Sequence, residues 1–285
     1  MQSPATAGTP CLNCGASLTG PFCGQCGQKA VPPTPHLHEL LHDALEEFLH
    51  FDGKTAQTLG TLVTRPGQLT VDMVAGRRAR YIAPLRLYLT VSLIYFLIAA
   101  ATPSGLKISM TTHDGVKTTF VDARALSDAD RQALLDTEAK SSPIFRPLVH
   151  RVREDPAGLQ RDVFAAWPKG LFVLLPVFAL IVALFHRGRY FVEHMYFALH
   201  VHAFAFLIMA VNAAIALTHL VWLSIPAGLA VLVWIAIYAH LAFRRVYGDS
   251  HAVTVIKESG VGFLYGVASI PVMMIAALWA ASHPH

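Results

Sequence analysis

The sequence predicts a mainly α, polytopic helical membrane protein of about five transmembrane helices, preceded by a small cysteine-bearing ribbon and a short amphipathic helix. Three observations lead there. Of 285 residues, 54% are hydrophobic and 14% charged, against roughly 25% charged in soluble domains. Five apolar segments follow residue 80, at about 82–101, 169–185, 195–218, 221–243 and 259–281, close to the length a bilayer crossing needs. All four cysteines fall between residues 11 and 26.

Cys11, Cys14, Cys23 and Cys26 read C-x2-C-x8-C-x2-C. Each C-x2-C turn aims two thiolates at one point, and Gly15 and Gly27 suit the tight knuckles that do so. Four thiolates with no open position describe one structural, tetrahedral zinc ion. Two disulfides or a redox pair compete with that reading, disfavoured by the clustering and by a reducing compartment. Residues 1–30 hold a single basic residue, Lys29, so no nucleic acid is expected to bind there. A contact with a cytosolic protein fits better. Residues 1–36 lack an apolar h-region, so this domain, 1–30, is expected in the cytosol.

Residues 31–81 form the second region. Val31-Pro32-Pro33-Thr34-Pro35 is a stiff linker. Leu37, Leu40, Leu41, Ala44, Leu45 and Phe48 then follow a helical apolar period, too short to span and suited to lie on a surface. His38, His42, Glu46 and His50 recur on its polar side; histidines at i, i+4 can share a metal, but a solvated polar face is the favoured reading. Arg77, Arg78, Arg80 and Arg86 gather where the chain enters the bilayer. They are candidate contacts for anionic lipid headgroups and would hold this end in the cytosol.

Residues 82–285 form the membrane domain. With the N-terminus inside, the short cytosolic loops carry Arg187 and Arg189, then Arg244, Arg245 and Lys257, while the short outer loop and the tail carry no Lys or Arg. That asymmetry predicts an inner-membrane protein with a periplasmic C-terminus. Loop 102–168 is then periplasmic, with a hairpin turning at Asp114-Gly115 and a helix starting at Ser127. Gly262 and Gly266 make a G-x-x-x-G, which favours packing within the bundle over a homo-oligomer.

The third span opens with V-E-H-M-Y-F-A-L-H-V-H. Glu193, His194, His200 and His202, with His240 of the fourth span, are the candidate polar membrane site, since ionisable groups are costly in lipid. At about 100° per residue, Glu193 and His200 share a face roughly 10 Å apart and His202 points away. No three of them can chelate one metal from this helix alone. Glu193 can pair with Arg189 one turn earlier.

Several pieces together resemble a bacterial membrane-protein family catalogued as domain of unknown function 3667. They are the cysteine motif ending at Lys29, R-P-G from Arg65 to Gly67, and G-R-R-x-R-Y-x-x-P from Gly76 to Pro84. E-H-x-x-F-A-L-H-x-H-A-F from Glu193 to Phe204 and R-R-V-Y-G-x-S from Arg244 to Ser250 complete them. The resemblance implies a multi-span inner-membrane protein with a cytosolic ribbon and supplies no reaction. With no G-x-S-x-G and no phosphate loop in the chain, the sequence favours a non-enzymatic interaction, regulatory or scaffold protein. Transport of a proton, metal ion or small solute through the span-three cluster is the alternative. A membrane metalloenzyme ranks third, because the repeated histidine boxes of such enzymes are missing.

Overall fold

The computed structural model describes residues 8–30, 53–101, 108–111, 117–120, 128–218 and 221–283. The proline linker and the amphipathic helix expected after it lie outside the described residues. Among those described are nine helices and one hairpin. They are α1 (Gly53–Thr64), α2 (Gln68–Val74), α3 (Pro84–Ala101), β1 (Ile108–Thr111), β2 (Lys117–Phe120), α4 (Asp128–Lys140), α5 (Arg146–Glu154), α6 (Pro156–Phe185), α7 (Phe191–Ala216), α8 (Val221–Tyr247) and α9 (His251–Ser282). The protein is mainly α and polytopic. Five helices are long and apolar enough to cross a membrane: α3, α7, and the stretches Arg161–Phe185 of α6, Pro226–Tyr247 of α8 and His251–Ser282 of α9.

The second span differs from its expected bounds. Hydropathy marks only 169–185, yet α6 runs 30 residues. Its polar opening turns are helical because Arg151 pairs with Asp162 at 2.8 Å and the Asp155 carboxylate accepts from the Gly158 amide at 2.8 Å, capping the start. The last span likewise begins earlier than expected, at His251.

The chain divides into two compact units. The first joins Met1–Thr102 to Leu175–Leu264. Its centre is α7, with α3 along one side and α8 along another. Side chains on several faces of α7 are buried, as suits a helix packed from more than one direction. Phe204 stacks on Tyr238 at 3.5 Å, Phe197 meets Phe243 at 4.5 Å, and Tyr88 meets the edge of Phe206 at 5.8 Å. Such pairs add to simple area burial.

The short helix α2 rests on both α7 and α8, and Arg65-Pro66-Gly67 explains how it gets so close. Gly67 has φ +77°, and a Cβ there would lie 2.9 Å from the Ala242 carbonyl oxygen. Only glycine meets both demands. The Arg245 guanidinium donates to the Pro66 carbonyl at 2.8 Å and fixes the turn against α8. Upstream, the Thr58 hydroxyl donates to the Lys54 carbonyl and accepts from the Ile82 amide. That ties α1 to the start of α3.

The second unit joins Pro103–Leu174 to Tyr265–His285. Its β1 pairs antiparallel with β2, Ile108 opposite Phe120 and Thr111 opposite Lys117, as a hairpin requires; the turn expected at Asp114-Gly115 lies outside the described residues. The helix expected from Ser127 is α4. Glu138 of α4 takes His150 and Arg153 of α5 at 3.1 and 3.2 Å. Lys169 sits 4.6 Å from the centre of the Trp279 ring, a cation–π contact. In the last span a Cβ at Gly262 or Gly266 would meet nothing within 4 Å.

Candidate metal centre and the polar contacts behind it

The ribbon is one small motif used twice. The Gly15 amide donates to the Cys11 carbonyl at 2.8 Å, and the Gly27 amide to the Cys23 carbonyl at 2.9 Å. Both glycines have φ above +70°, the left-handed conformation that closes each knuckle. The Cys11 amide donates to Ala16 and the Cys23 amide to Gln28. Matching bridges pair Pro10 with Ser17 and Phe22 with Lys29.

This doubling brings the four sulfurs within 4.8 Å of one another. All four are free thiols. Cys11 and Cys26 lie 3.6 Å apart, Cys14 and Cys23 3.5 Å, far beyond a disulfide bond and close to the edge of about 3.8 Å in a tetrahedron with metal–sulfur bonds near 2.3 Å. The donor set therefore fits a closed tetrahedral metal centre. The thiols also titrate apart. At Cys26 desolvation acts upward, but the Gln28 amide, Asn13 and the neighbouring thiols outweigh it and bring the pKa to about 6. At Cys14 the Ala16 amide acts downward, and desolvation with the three other cysteines overrides it to about 12. Crowded thiols share protons in this way until a cation replaces them.

The ribbon is docked on its own chain. The Gln28 side-chain amide donates to the Gly76 carbonyl at 2.8 Å, and its oxygen accepts from the Arg78 and Ala79 amides at 3.0 Å each. The Arg80 guanidinium donates to Asn13, at 3.0 Å to the carbonyl and 3.3 Å to the side chain. Gly76, at φ +78°, lies under Leu12, whose Cδ1 is 2.6 Å from where a Cβ would be. Gln28 and Asn13 each stand within two residues of a cysteine, so the two cysteine knuckles carry the docking face.

Behind the loop stands Asp72, 4% exposed. It accepts from Arg77 Nη2 at 2.6 Å, Arg77 Nε at 3.0 Å, the Tyr81 hydroxyl at 2.7 Å and Gln68 at 3.0 Å. Burial pushes its carboxyl up, but those bonds and the Arg77 charge prevail and hold it below the usual carboxylate value. Two residues earlier on the same helix, Thr70 bonds His200 Nδ1 at 2.9 Å, both side chains buried. Of the four arginines singled out for headgroups, Arg77 is engaged with Asp72, Arg80 with Asn13, and Arg86 is buried in the first turns of α3.

The structure distributes the membrane-site residues rather than gathering them. Glu193 pairs with Arg189 at 3.2 Å, the partner expected from spacing. His194 is fully buried and joined to the Tyr247 hydroxyl at 2.9 Å, with Nε2 unpartnered. Tyr247 stacks on His186 at 3.8 Å, and His186 bonds Asp249, which also holds Lys257 at 2.8 Å. Burial lowers the His186 pKa, while the Lys257 hydrogen bond leads in lowering that of Asp249. His200 meets Thr70. His202 turns back on the Ala198 carbonyl at 2.8 Å and meets the edge of the Phe178 ring. His240 faces α9, bonding Glu258 at 3.0 Å and His251 at 3.1 Å.

The partners that sequence reasoning missed are Gln28, Thr70, Asp72, Tyr247 and Glu258. Gln28 and Tyr247 lie within the motifs that carried the family resemblance; Thr70, Asp72 and Glu258 lie outside them and left no signal of their own. Among curated proteins and among solved structures, none matches the chain. A family model described as a protein of unknown function (DUF3667) matches residues 52–96, the stretch that holds α1, Gly67, α2 with Thr70 and Asp72, the ribbon's landing loop and the greater part of α3.

Proposed function

We propose that this is a non-enzymatic integral protein of the inner membrane, of the interaction or regulatory type, whose zinc-closed ribbon clamps the segment leading into the first span. The observation that carries it is the Gln28 side chain, which makes three hydrogen bonds to the backbone of residues 76–79. A ribbon held only for its own stability would not need them. From that loop, contacts continue through Asp72 to α2, and through Thr70 to His200 of α7. A change at the ribbon therefore has a packed route to a transmembrane helix. Arg187 and Arg189, and Arg244, Arg245 and Lys257 at the facing ends of α8 and α9, support a cytosolic ribbon. Phe22, 57% exposed on the second knuckle, supports a cytosolic protein partner. Bilayer lipids surround the apolar helices.

Gln28→Ala tests the clamp. The variant is expected to keep its zinc, since all four ligands remain. Amide exchange at Arg78 and Ala79 should accelerate about tenfold, the equivalent of one net hydrogen bond of roughly 1.4 kcal/mol. Unchanged protection at both amides would remove the clamp from the proposal.

Transport is the second reading, favoured by one specific feature. His194 Nε2 is buried with no partner beside Tyr247, His186 and Arg189, where a passing proton or polar solute would find a free ring nitrogen. It predicts proteoliposome flux that is lost in His194→Ala. Equal flux in the variant would end it.

A further inference from the structure

Arg244 and His240 stand one turn apart on α8, and His251 and Glu258 two turns apart on α9. The three-residue turn 248–250 between the helices, with Gly248 at φ +76°, lets the two pairs face each other. Arg244 Nη1 lies 2.6 Å from His251 Nε2, His251 Nδ1 lies 3.1 Å from His240 Nε2, and His240 Nδ1 lies 3.0 Å from Glu258 Oε1.

The direction of this chain follows from its first member. A guanidinium has only N–H donors and stays charged, so His251 Nε2 must be a bare acceptor. Neutral His251 then carries its proton on Nδ1 and donates to His240 Nε2. His240 in turn carries its proton on Nδ1 and donates to the Glu258 carboxylate. Each bond points the same way, from solvent-exposed His251 toward Glu258. The chain ends on an oddity: Glu258 Oε2 is buried without a hydrogen-bond partner. A network present only to hold α8 and α9 together would satisfy that oxygen, whereas a carboxyl that takes up a proton needs no second donor.

We propose that His251, His240 and Glu258 form a proton relay with Arg244 as its gate, a site independent of the ribbon. While Arg244 covers His251 Nε2, water cannot protonate it. When the guanidinium swings aside, a proton from water binds Nε2. The Nδ1–H bond of His251 breaks as an N–H bond forms on His240 Nε2, and the Nδ1–H bond of His240 breaks as an O–H bond forms on Glu258 Oε1. One proton enters, both imidazoles stay neutral with their tautomers exchanged, and Glu258 becomes a neutral acid. The other charges nearby are spoken for. Lys257 and His186 share Asp249, and Arg245 is held on the Pro66 carbonyl.

Nitrogen-15 NMR of the full-length wild-type protein in bilayers tests the direction without any substitution. Both His240 and His251 should show Nδ1–H at neutral pH, and Nε2–H on either would overturn the relay. Infrared difference spectra after an acid jump test the transfer. A protonated-carboxyl band should appear, be absent in Glu258→Gln, and rise at least about 100-fold more slowly in His240→Gln, the usual scale for losing a positioned proton-transfer group. His240→Gln keeps a polar side chain of similar reach, and wild-type zinc content and thermal midpoint confirm that it folds. Arg244→Gln should speed the rise by removing the gate. A band that survives in Glu258→Gln, or a rate unchanged in folded His240→Gln, would overturn the proposal.

Discussion

Replacing Cys11 and Cys14 together with serine is expected to abolish metal binding and unfold residues 8–30 in one step while the membrane helices stay inserted. Within the ribbon only Cys11, Leu18 and Cys23 are buried. Three small side chains cannot offset a backbone ordering cost of about 1–2 kcal/mol per residue. A metal at the four sulfurs would supply the difference, since structural sites contribute about 10–16 kcal/mol in comparable small domains. Metal analysis of detergent-purified protein should give one zinc per chain for wild type and none for the variant. Protease should then cut within 8–30, and amide exchange should rise at residues 76–80. A cytosolic partner, if the ribbon contacts one, should be lost from pull-downs of Cys23→Ser with membrane insertion kept. A ribbon that stays protected without zinc would mean that docking on the Gly76 loop, rather than the ion, holds it together.

That experiment also separates what the chain shows locally from what it does not. The knuckles were legible because everything they need lies within a few residues: paired thiols, a glycine for the left-handed turn, a short spacer. The spans were legible for the same reason, since lipid selects apolar runs whatever packs beside them. The first turns of α6 were not, because their helicity depends on the Arg151–Asp162 pair and on a cap at Asp155, neither of which hydropathy registers. The ribbon's docking was hidden more deeply. Gln28 reaches residues about fifty positions away, and nothing in C-G-Q-C-G-Q-K says where that side chain points. The histidines show the same division. Their positions on α7 could be read from the helical period, and Glu193 found the arginine one turn before it. Yet His200 takes its partner from 130 residues away and His194 from 53. One buried face of a helix does not say which neighbour covers it, so residues that looked like one cluster meet Thr70, Tyr247 and Glu258 separately.

Asp72 lies on the route from ribbon to membrane, and Asp72→Ala is expected to damage both ends of it. The carboxylate takes four hydrogen bonds from three side chains. Removing it leaves the Tyr81 hydroxyl buried and the Arg77 guanidinium without its counter-charge. Breaking a buried pair costs about 3–5 kcal/mol, and because Arg77 is one-third exposed solvent reduces this to about 2–4 kcal/mol. The thermal midpoint should fall, and exchange should rise at residues 76–80 and in α2 even though zinc stays bound. Acid gives the complementary test. The folded-state pKa of Asp72 is depressed, so its contribution is fully present above the unfolded value near 3.9 and is lost as pH falls through the lower, folded value. Between pH 5 and 8 this group should leave stability unchanged, and below about pH 4 it should weaken the wild type. Asp72→Asn keeps the shape without the titration. It should start less stable and lose the acid-dependent part of the fall. If wild type and Asp72→Asn weaken in parallel in acid, another carboxylate governs that transition, and the Ala variant alone would then measure what Asp72 contributes to joining the ribbon's loop to α2.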